Sequence, residues 1–330
     1  MTFAMPAEWD PHEAVWTAWP HDDDQWAEGL AAPRRALMAM CAAIVDGGRG
    51  ERVELLVRDA GDEAAACEIL GVAARHVSFR RAAYGDVWLR DTGPIFVRDG
   101  GELGAARFRF DGWGGKYVMA GDTEVASRVV DWTGVRGAAF DFVLEGGAVE
   151  VDGAGALLTT KQCLLGGGRN PGMTASALEA RLRWALGASR IVWLDQGLHN
   201  DHTDGHIDTI ARFVAPGVVA CMEPEAGDPN RDALAAIIRD LRAAKLEVVT
   251  VPSPGEVRDA SGMLMPASYM NFYIANTAVI VPTYDAAADD RAVAAIGKLF
   301  PTRTAIGLPC KPVVVGGGGF HCCTQQQPRA

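Results

Sequence analysis

The most unusual chemistry in the chain lies in Pro312-Val-Val-Val-Gly-Gly-Gly-Gly-Phe-His-Cys-Cys-Thr-Gln-Gln-Gln-Pro, where four glycines lead into a pair of thiols. Glycines let a backbone approach a ligand closely. A phosphate-binding loop would need a Lys-Ser/Thr pair and a helix after them; His321-Cys322-Cys323 follows instead. Read as extended chain after a β-branched strand, the segment turns Cys322 to one face and His321 and Cys323 to the other. One thiol is then free to face a site. Simple burial is the commoner fate of a cysteine, and this segment alone leaves both readings standing.

Asn200-Asp-His-Thr-Asp-Gly-His-Ile-Asp-Thr-Ile is the second candidate. On a strand, His206 and Asp208 would share a face, and an imidazole beside a carboxylate suits acid/base work near neutral pH. A core histidine is one rival reading. A metal site of His202, His206 and Asp208 is the other, weakened because Asp204-Gly205 makes a poor helix interior. In Asp86-Val-Trp-Leu-Arg-Asp-Thr-Gly-Pro, carboxylates bracket Trp88; carboxylates grip a guanidinium in paired hydrogen bonds, and an indole face attracts cations. Glu145, ahead of two glycines, says little by itself. Together the segments supply a thiol, an imidazole and several carboxylates.

These residues need elements to position them. Four stretches share one pattern, an apolar run, a tight turn and a second apolar run: from Ile95 through Asp99-Gly100 to Phe110, from Ala148 through Asp152-Gly153 to Thr160, from Ile210 through Pro216-Gly217 to Cys221, and from Asn271 through Ala275-Asn276 to Pro282. Asp-Gly is the strongest of these hairpin signals, and a recurrence of about 50 to 65 residues suggests a repeat. Helical spacing of apolar residues covers 33–45, 176–186, 233–244 and 286–300. No low-complexity linker divides the chain, so the expectation is one domain, 1–330, of repeated ββα-type units, with an ordinary layered α/β domain as the alternative.

With 330 residues, half of them apolar and 22% charged, the chain has the composition of a globular protein. The formal net charge of −11 disfavours nucleic acid and anionic membranes and suits a cationic substrate. Neither a leader pattern nor an apolar run of transmembrane length is visible. Seven cysteines without framework spacing point to a reducing, cytoplasmic setting. Assembly into a homo-oligomer is compatible with the sequence and not specified by it.

At this level the chain resembles the agmatine deiminases, within the wider group of guanidine-modifying enzymes that includes the bacterial-type peptidylarginine deiminases. The likeness runs from Met5-Pro-Ala-Glu-Trp-Asp-Pro-His through Trp88-Leu-Arg-Asp-Thr-Gly-Pro, Gly112-Trp-Gly-Gly-Lys-Tyr, Glu145-Gly-Gly, Asn200-Asp, Gly205-His-Ile-Asp and Pro266-Ala-Ser-Tyr-Met-Asn to His321-Cys-Cys-Thr-Gln-Gln-Gln-Pro. It implies a pentein-type fold, a five-bladed pseudo-symmetric α/β propeller of ββαβ units. It also implies Cys322 as nucleophile, His206 as acid/base, Asp91 and Asp208 as guanidinium grips, Glu145 as a supporting carboxylate and Trp88 beside the substrate. No cofactor or metal is implied. Departures fall at His202, where the family is usually acidic, at Asp204, where it usually has Asn, at Cys323, where it usually has Ile, and at Gly319-Phe320, where Asn-Ile is common. Asp201 is the candidate partner for a distal amine.

Overall fold

The computed structural model describes residues 3–26 and 28–330. All four hairpins form: Ile95–Asp99 with Glu102–Arg109, Glu150–Val151 with Ala156–Thr160, Ala211–Ala215 with Val218–Glu223, and Tyr273–Ile274 with Ala278–Thr283. Their turns use the local chemistry expected of them. Gly100 and Gly101 sit at positive φ after Asp99, and Asp152 Oδ1 accepts hydrogen bonds from the Ala154 and Ala156 amides at 2.8 and 2.9 Å.

From each hairpin the chain runs through a helix and returns parallel to the second strand. Arg136–Val143, Arg190–Leu194, Glu247–Pro252 and Thr304–Pro309 are those returning strands. The helices bury one stripe against their sheets, as Ala233, Leu234, Ile237 and Leu241 do on Arg231–Ala243. Ala175–Leu186 starts where the Thr174 hydroxyl accepts from the Ala177 amide at 3.3 Å and stops at Gly187, in the left-handed region. Burying an aliphatic side chain stabilises by about 1.5–3 kcal/mol, so each such stripe is the main tie between helix and sheet. Two helices outside the expected set, Ala60–Leu70 and Asp122–Thr133, are further connections of this kind.

Among the described residues there are five small sheets. The fifth joins distant parts of the chain. Gln325–Pro328 pairs antiparallel with His12–Ala18, and Arg52–Val57 and Val77–Arg81 follow in parallel. The observed architecture is therefore mixed α/β, built from repeated units of an antiparallel pair plus a helix-returned strand.

Two local expectations are corrected. The β-branched stretch before the glycines is not a strand: Lys311–Val314 is a short helix with Pro312 in its first turn. There the missing N–H of proline costs nothing. Nor are the segments at Cys322 and His206 extended. The Thr324 amide donates to His321 O at 3.0 Å, closing a turn over the thiols, and His206 leads into the 3-10 helix Ile207–Thr209.

Candidate active site

A cavity of about 230 Å3 is lined by Trp88, Trp113, Tyr117 and His202, with Asp91 and Cys322 at its polar end. Close packing around the thiol explains the glycines. A Cβ on Gly318 would lie 2.8 Å from the Trp88 ring and 3.0 Å from Cys322 Sγ. Asn271 holds the nucleophile candidate from both sides: its Nδ2 donates to Cys322 Sγ at 3.1 Å, and its Oδ1 accepts from the Cys322 amide at 3.2 Å. The thiol itself donates to Asp208 Oδ2 at 3.5 Å. Burial, then the negative charges of Asp208 and Asp91, push the Cys322 pKa well up. At rest this is a neutral thiol. Cys323 is fully buried in the main apolar core, as its packing reading anticipated.

Because residues 321–323 turn rather than extend, two neighbours reach the same carboxylate. His321 Nδ1 hydrogen-bonds with Asp208 Oδ2 at 2.7 Å, and His321 Nε2 hydrogen-bonds with Glu8 Oε2 at 2.7 Å. Glu8 Oε2 also meets Arg212 at 2.9 Å and Arg90 at 3.3 Å, and Arg212 continues to Glu150 at 3.0 Å. Arg90 donates to the side-chain oxygens of Gln325 and Gln326 at 3.1 and 2.6 Å, which anchors the strand after the thiols. Burial works against the ionised form of Asp208, but the His321 hydrogen bond and positive charge, with His206 and Arg212, hold its pKa below the usual carboxylate range. Asp208 is a fully buried anion.

Opposite it, Asp91 accepts from the Gly147 amide at 2.9 Å and from Trp113 Nε1 at 2.9 Å. Burial, followed by the charges of Asp208 and Glu145, raises its pKa well above the usual range. Trp113 pays for its position in backbone conformation, with φ of 54° in the left-handed region that a bulky residue rarely adopts.

Gly147 marks the centre of the site. A Cβ there would stand 2.5 Å from His206 Nδ1, 2.9 Å from Asp91 Oδ1 and 3.2 Å from Asp208 Oδ2. The expected strand is corrected to a 3-10 turn, yet His206 and Asp208 still converge over Gly147, without a direct hydrogen bond between them. His206 Nδ1 lies 3.7 Å from Asp91, and its Nε2 lies 4.0 Å from Glu145 Oε2. Neither ring nitrogen has a hydrogen-bond partner. Burial is the chief cause that lowers the His206 pKa to about 3, so the imidazole rests neutral. Glu145 is held by Arg169 Nε at 2.9 Å; burial raises its pKa in spite of that guanidinium.

Trp88 lines the cavity as expected and is fixed through its indole N–H, which donates to Asp86 Oδ2 at 2.8 Å. Trp26 donates to the other oxygen of Asp86 at 3.3 Å and stacks on Trp88 at 6.0 Å. Asp86 thus positions rings, with a pKa that burial lifts to about 7. Asp201 is not brought to the cavity. Its Oδ1 accepts from Thr203 and its Oδ2 from the Gly205 amide, at 2.7 to 3.0 Å, so it shapes the loop that delivers His206.

The rival metal triad does not assemble either. His202 stacks on Tyr117 at 6.0 Å along the cavity wall, while Asp208 is engaged by His321. Among the described residues, the one His/Cys/Asp/Glu group close enough to hold an ion is Glu145, Cys163 and His206.

The structure therefore gathers Cys322, His206, Asp208, Asp91, Glu145 and Trp88 and leaves Asp201 outside. Sequence reasoning gave no role to Trp113, His321, Asn271, Arg169 or Glu8. All but Arg169 stood inside quoted motifs, so the signal was present without an interpretation. The placement follows the repeat: Asp91, Glu145, Asp208, Asn271 and Cys322 each lie just ahead of the first strand of a different sheet unit, in the order 95–99, 150–151, 211–215, 273–274 and 325–328.

Comparison with known proteins adds the family. The profile of the Porphyromonas-type peptidyl-arginine deiminases matches residues 4–328. An agmatine deiminase of Pseudomonas aeruginosa is 35% identical, the match covering 99% of this chain and 95% of that protein. Among solved structures, an agmatine deiminase of Enterococcus faecalis, described as catalysing its reaction, superposes with a TM-score of 0.91 at 32% identity over 99% of this chain and 96% of that one. A cysteine-to-serine agmatine deiminase of C. jejuni with substrate bound gives 0.92 at 26% identity, covering 99% of this chain and 97% of the other. The chain belongs to the Porphyromonas-type peptidyl-arginine deiminase family.

Proposed function

We propose that this protein hydrolyses the guanidinium group of agmatine, giving N-carbamoylputrescine and ammonia through a covalent intermediate on Cys322. The observation that carries the reading is the thiol itself, hydrogen-bonded to anionic Asp208 and sharing the wall of a small cavity with Asp91. Relatives named agmatine deiminases and the substrate-bound cysteine-to-serine neighbour support it. A cavity of this size, walled by Trp88, Trp113 and Tyr117, suits a small alkylguanidine.

Guanidinium resists water because its charge is delocalised, so attack needs fixed geometry and a strong nucleophile. Asp208 and Asp91 receive the planar cation through paired hydrogen bonds. Its positive charge stabilises ionised Asp91 and a thiolate, offsetting the burial and the neighbouring carboxylate charges that hold both groups protonated at rest. The Cys322 thiol gives up its proton as sulfur bonds to the central carbon. That proton passes by way of His206 to the departing nitrogen, the C–N bond breaks and ammonia leaves. An amidino thioether remains. Water then loses a proton to His206 and adds to the same carbon as hydroxide. The C–S bond breaks, the His206 proton returns to the Cys322 sulfur, and the hydroxyl proton of the adduct leaves as the ureido C=O forms. Ammonia and this proton together make the ammonium of the net reaction.

The five sheet units, each contributing a site residue ahead of its first strand, support a five-bladed pentein-type propeller forming a single deiminase domain over 1–330. Seven unbonded cysteines support a reducing, cytoplasmic setting, where the product would feed putrescine formation. Ammonia release from agmatine, arginine, a peptidyl-arginine and shorter alkylguanidines tests the reading. Turnover of agmatine, abolished in Cys322→Ala, is expected; full activity without Cys322 refutes the covalent route, and exclusive turnover of another guanidine reassigns the substrate.

A further inference from the structure

Around His206 lies a set of buried groups that the deimination reading does not use in full. Glu145, His206 and Cys163 each offer one ligand atom, and these atoms all lie within 4.8 Å of one another. All three side chains are buried. Glu145 Oε2 and both ring nitrogens of His206 lack hydrogen-bond partners, which is costly for buried polar atoms. Cys163 is placed by the short helix Lys161–Leu165, whose first turn is capped where the Thr160 hydroxyl accepts from the Cys163 amide at 3.2 Å. It is absent from the cavity wall that holds Cys322.

We propose that Glu145, Cys163 and His206 form a binding site for a thiophilic divalent cation, Zn2+ being the fitting member, and that its occupation inhibits the enzyme. Thiolate, imidazole and carboxylate together match zinc rather than magnesium or calcium, which take oxygen ligands. Three protein ligands leave a fourth position for water. Around a tetrahedral ion the ligand atoms stand about 3.3–3.8 Å apart, so about 1 Å of inward movement completes the set. Arg169 already holds Glu145 Oε1 at 2.9 Å and leaves Oε2 free, the outer support that ligating carboxylates commonly have. On binding, the Cys163 S–H bond breaks, the proton goes to solvent and a metal–sulfur bond forms. The thiolate and the Glu145 carboxylate then balance the two positive charges.

Inhibition rests on the proposed acid/base role of His206, because a nitrogen bound to metal cannot carry a proton; binding itself does not rest on that role. The groups are sealed from solvent, so access requires a local opening and inhibition develops over time after mixing. It also differs from metal capture by Cys322, which stands in the substrate cavity and would be relieved by substrate.

The test uses Co2+ as a spectroscopic stand-in for Zn2+. In the Cys322→Ala protein, one equivalent of Co2+ is expected to give a thiolate-to-cobalt absorption band, lost when Cys163→Ser is added. In enzyme with Cys322 intact, Cys163→Ser and Cys163→Ala should turn over normally in the absence of metal. The zinc concentration for half inhibition should rise by at least about 10-fold, the smallest effect commonly seen even for outer-shell losses. A cobalt band that persists without Cys163, or that requires Cys322, overturns the site. A band that depends on Cys163 with no effect of Zn2+ on turnover overturns the inhibitory claim and, separately, counts against His206 as the proton carrier.

Discussion

Replacing His321 with leucine removes two hydrogen-bond partners from a buried charge network without touching the substrate cavity. Its partners fare differently. Glu8 keeps Arg212 at 2.9 Å and Arg90 at 3.3 Å. Asp208 keeps only the weak Cys322 donor at 3.5 Å on Oδ2, and its Oδ1 has no partner. Breaking a buried pair from one side costs about 3–5 kcal/mol because the charge left behind is uncompensated. At about 2 °C per kcal/mol, the large-domain end of the usual range, Tm falls by about 6 to 10 °C. Asp208 escapes part of that cost by taking up a proton. Its pKa, held low by His321 in the wild type, then moves up. Losing one charge-assisted hydrogen bond to the guanidinium removes about 1.5–3 kcal/mol, which is about 10- to 150-fold in kcat/KM. The assay is ammonia release from agmatine between pH 5.5 and 9, alongside melting by circular dichroism. Wild type should show no acid limb from Asp208 in this range, whereas His321→Leu should gain one and recover partly as pH rises. A kcat/KM within threefold of wild type at every pH, with the melting loss present, would refute the claim that His321 keeps Asp208 ionised and leave it a purely structural residue.

Arg169→Met strands Glu145 in the same way and should lower Tm by about 6 to 10 °C; an unchanged melt contradicts the burial argument. Gly147→Ala forces a methyl group against His206, Asp91 and Asp208, so kcat should fall by about 100-fold with a smaller effect on KM, measured by the ammonia assay. Asp201→Asn should change KM for agmatine less than Trp88→Ala does, since Asp201 serves its own loop; the reverse order restores it as a substrate contact. His206 titrates near 6.5 unfolded and about 3 folded. Between those values the unfolded chain binds the extra proton, so stability from this group is complete above about pH 6.5 and declines as pH falls toward 3. The raised carboxylates Asp86, Asp91 and Glu145 act in the opposite direction over part of that window. The contribution of His206 is therefore read as the denaturation difference between wild type and His206→Asn, which should drift by up to about 1.4 kcal/mol per pH unit against wild type as pH falls. A flat difference means that the imidazole is charged in the folded protein.

Local signals carried most of the fold that could be read in advance. Asp99-Gly100 and Asp152-Gly153 specify turns by their own backbone chemistry, and the stripe on Arg231–Ala243 needs only helical periodicity. What resisted reading depends on partners far away in the chain. Val313 and Val314 favour a strand in isolation, yet Pro312 and the packing around it make a helical turn. The alternation rule placed His321 and Cys322 on opposite faces, and a turn held by Thr324 brings both to one oxygen of Asp208. Asp201 offered the right charge in the right loop, but its acceptor capacity is consumed by amides two and four residues away. Nothing in local composition distinguishes such a carboxylate from one that meets substrate. Trp113 shows the converse case, since its role requires a left-handed backbone that only its flanking glycines hint at.

The strand Gln325–Pro328 follows directly on the thiols, and it is secured by a seam to His12–Ala18. Trp16 Nε1 donates to Gln327 Oε1 at 3.0 Å across a sequence separation of 311. Closing so long a loop is entropically demanding, and contacts of this span form late in folding. Cys322 therefore depends on some of the longest-range contacts among the described residues, and its reactivity is a gauge of whether that seam is shut. Under mild denaturant the enzyme should fall silent while its hairpins and helices still give a native spectrum, and silent molecules should regain activity as fast as the seam rejoins.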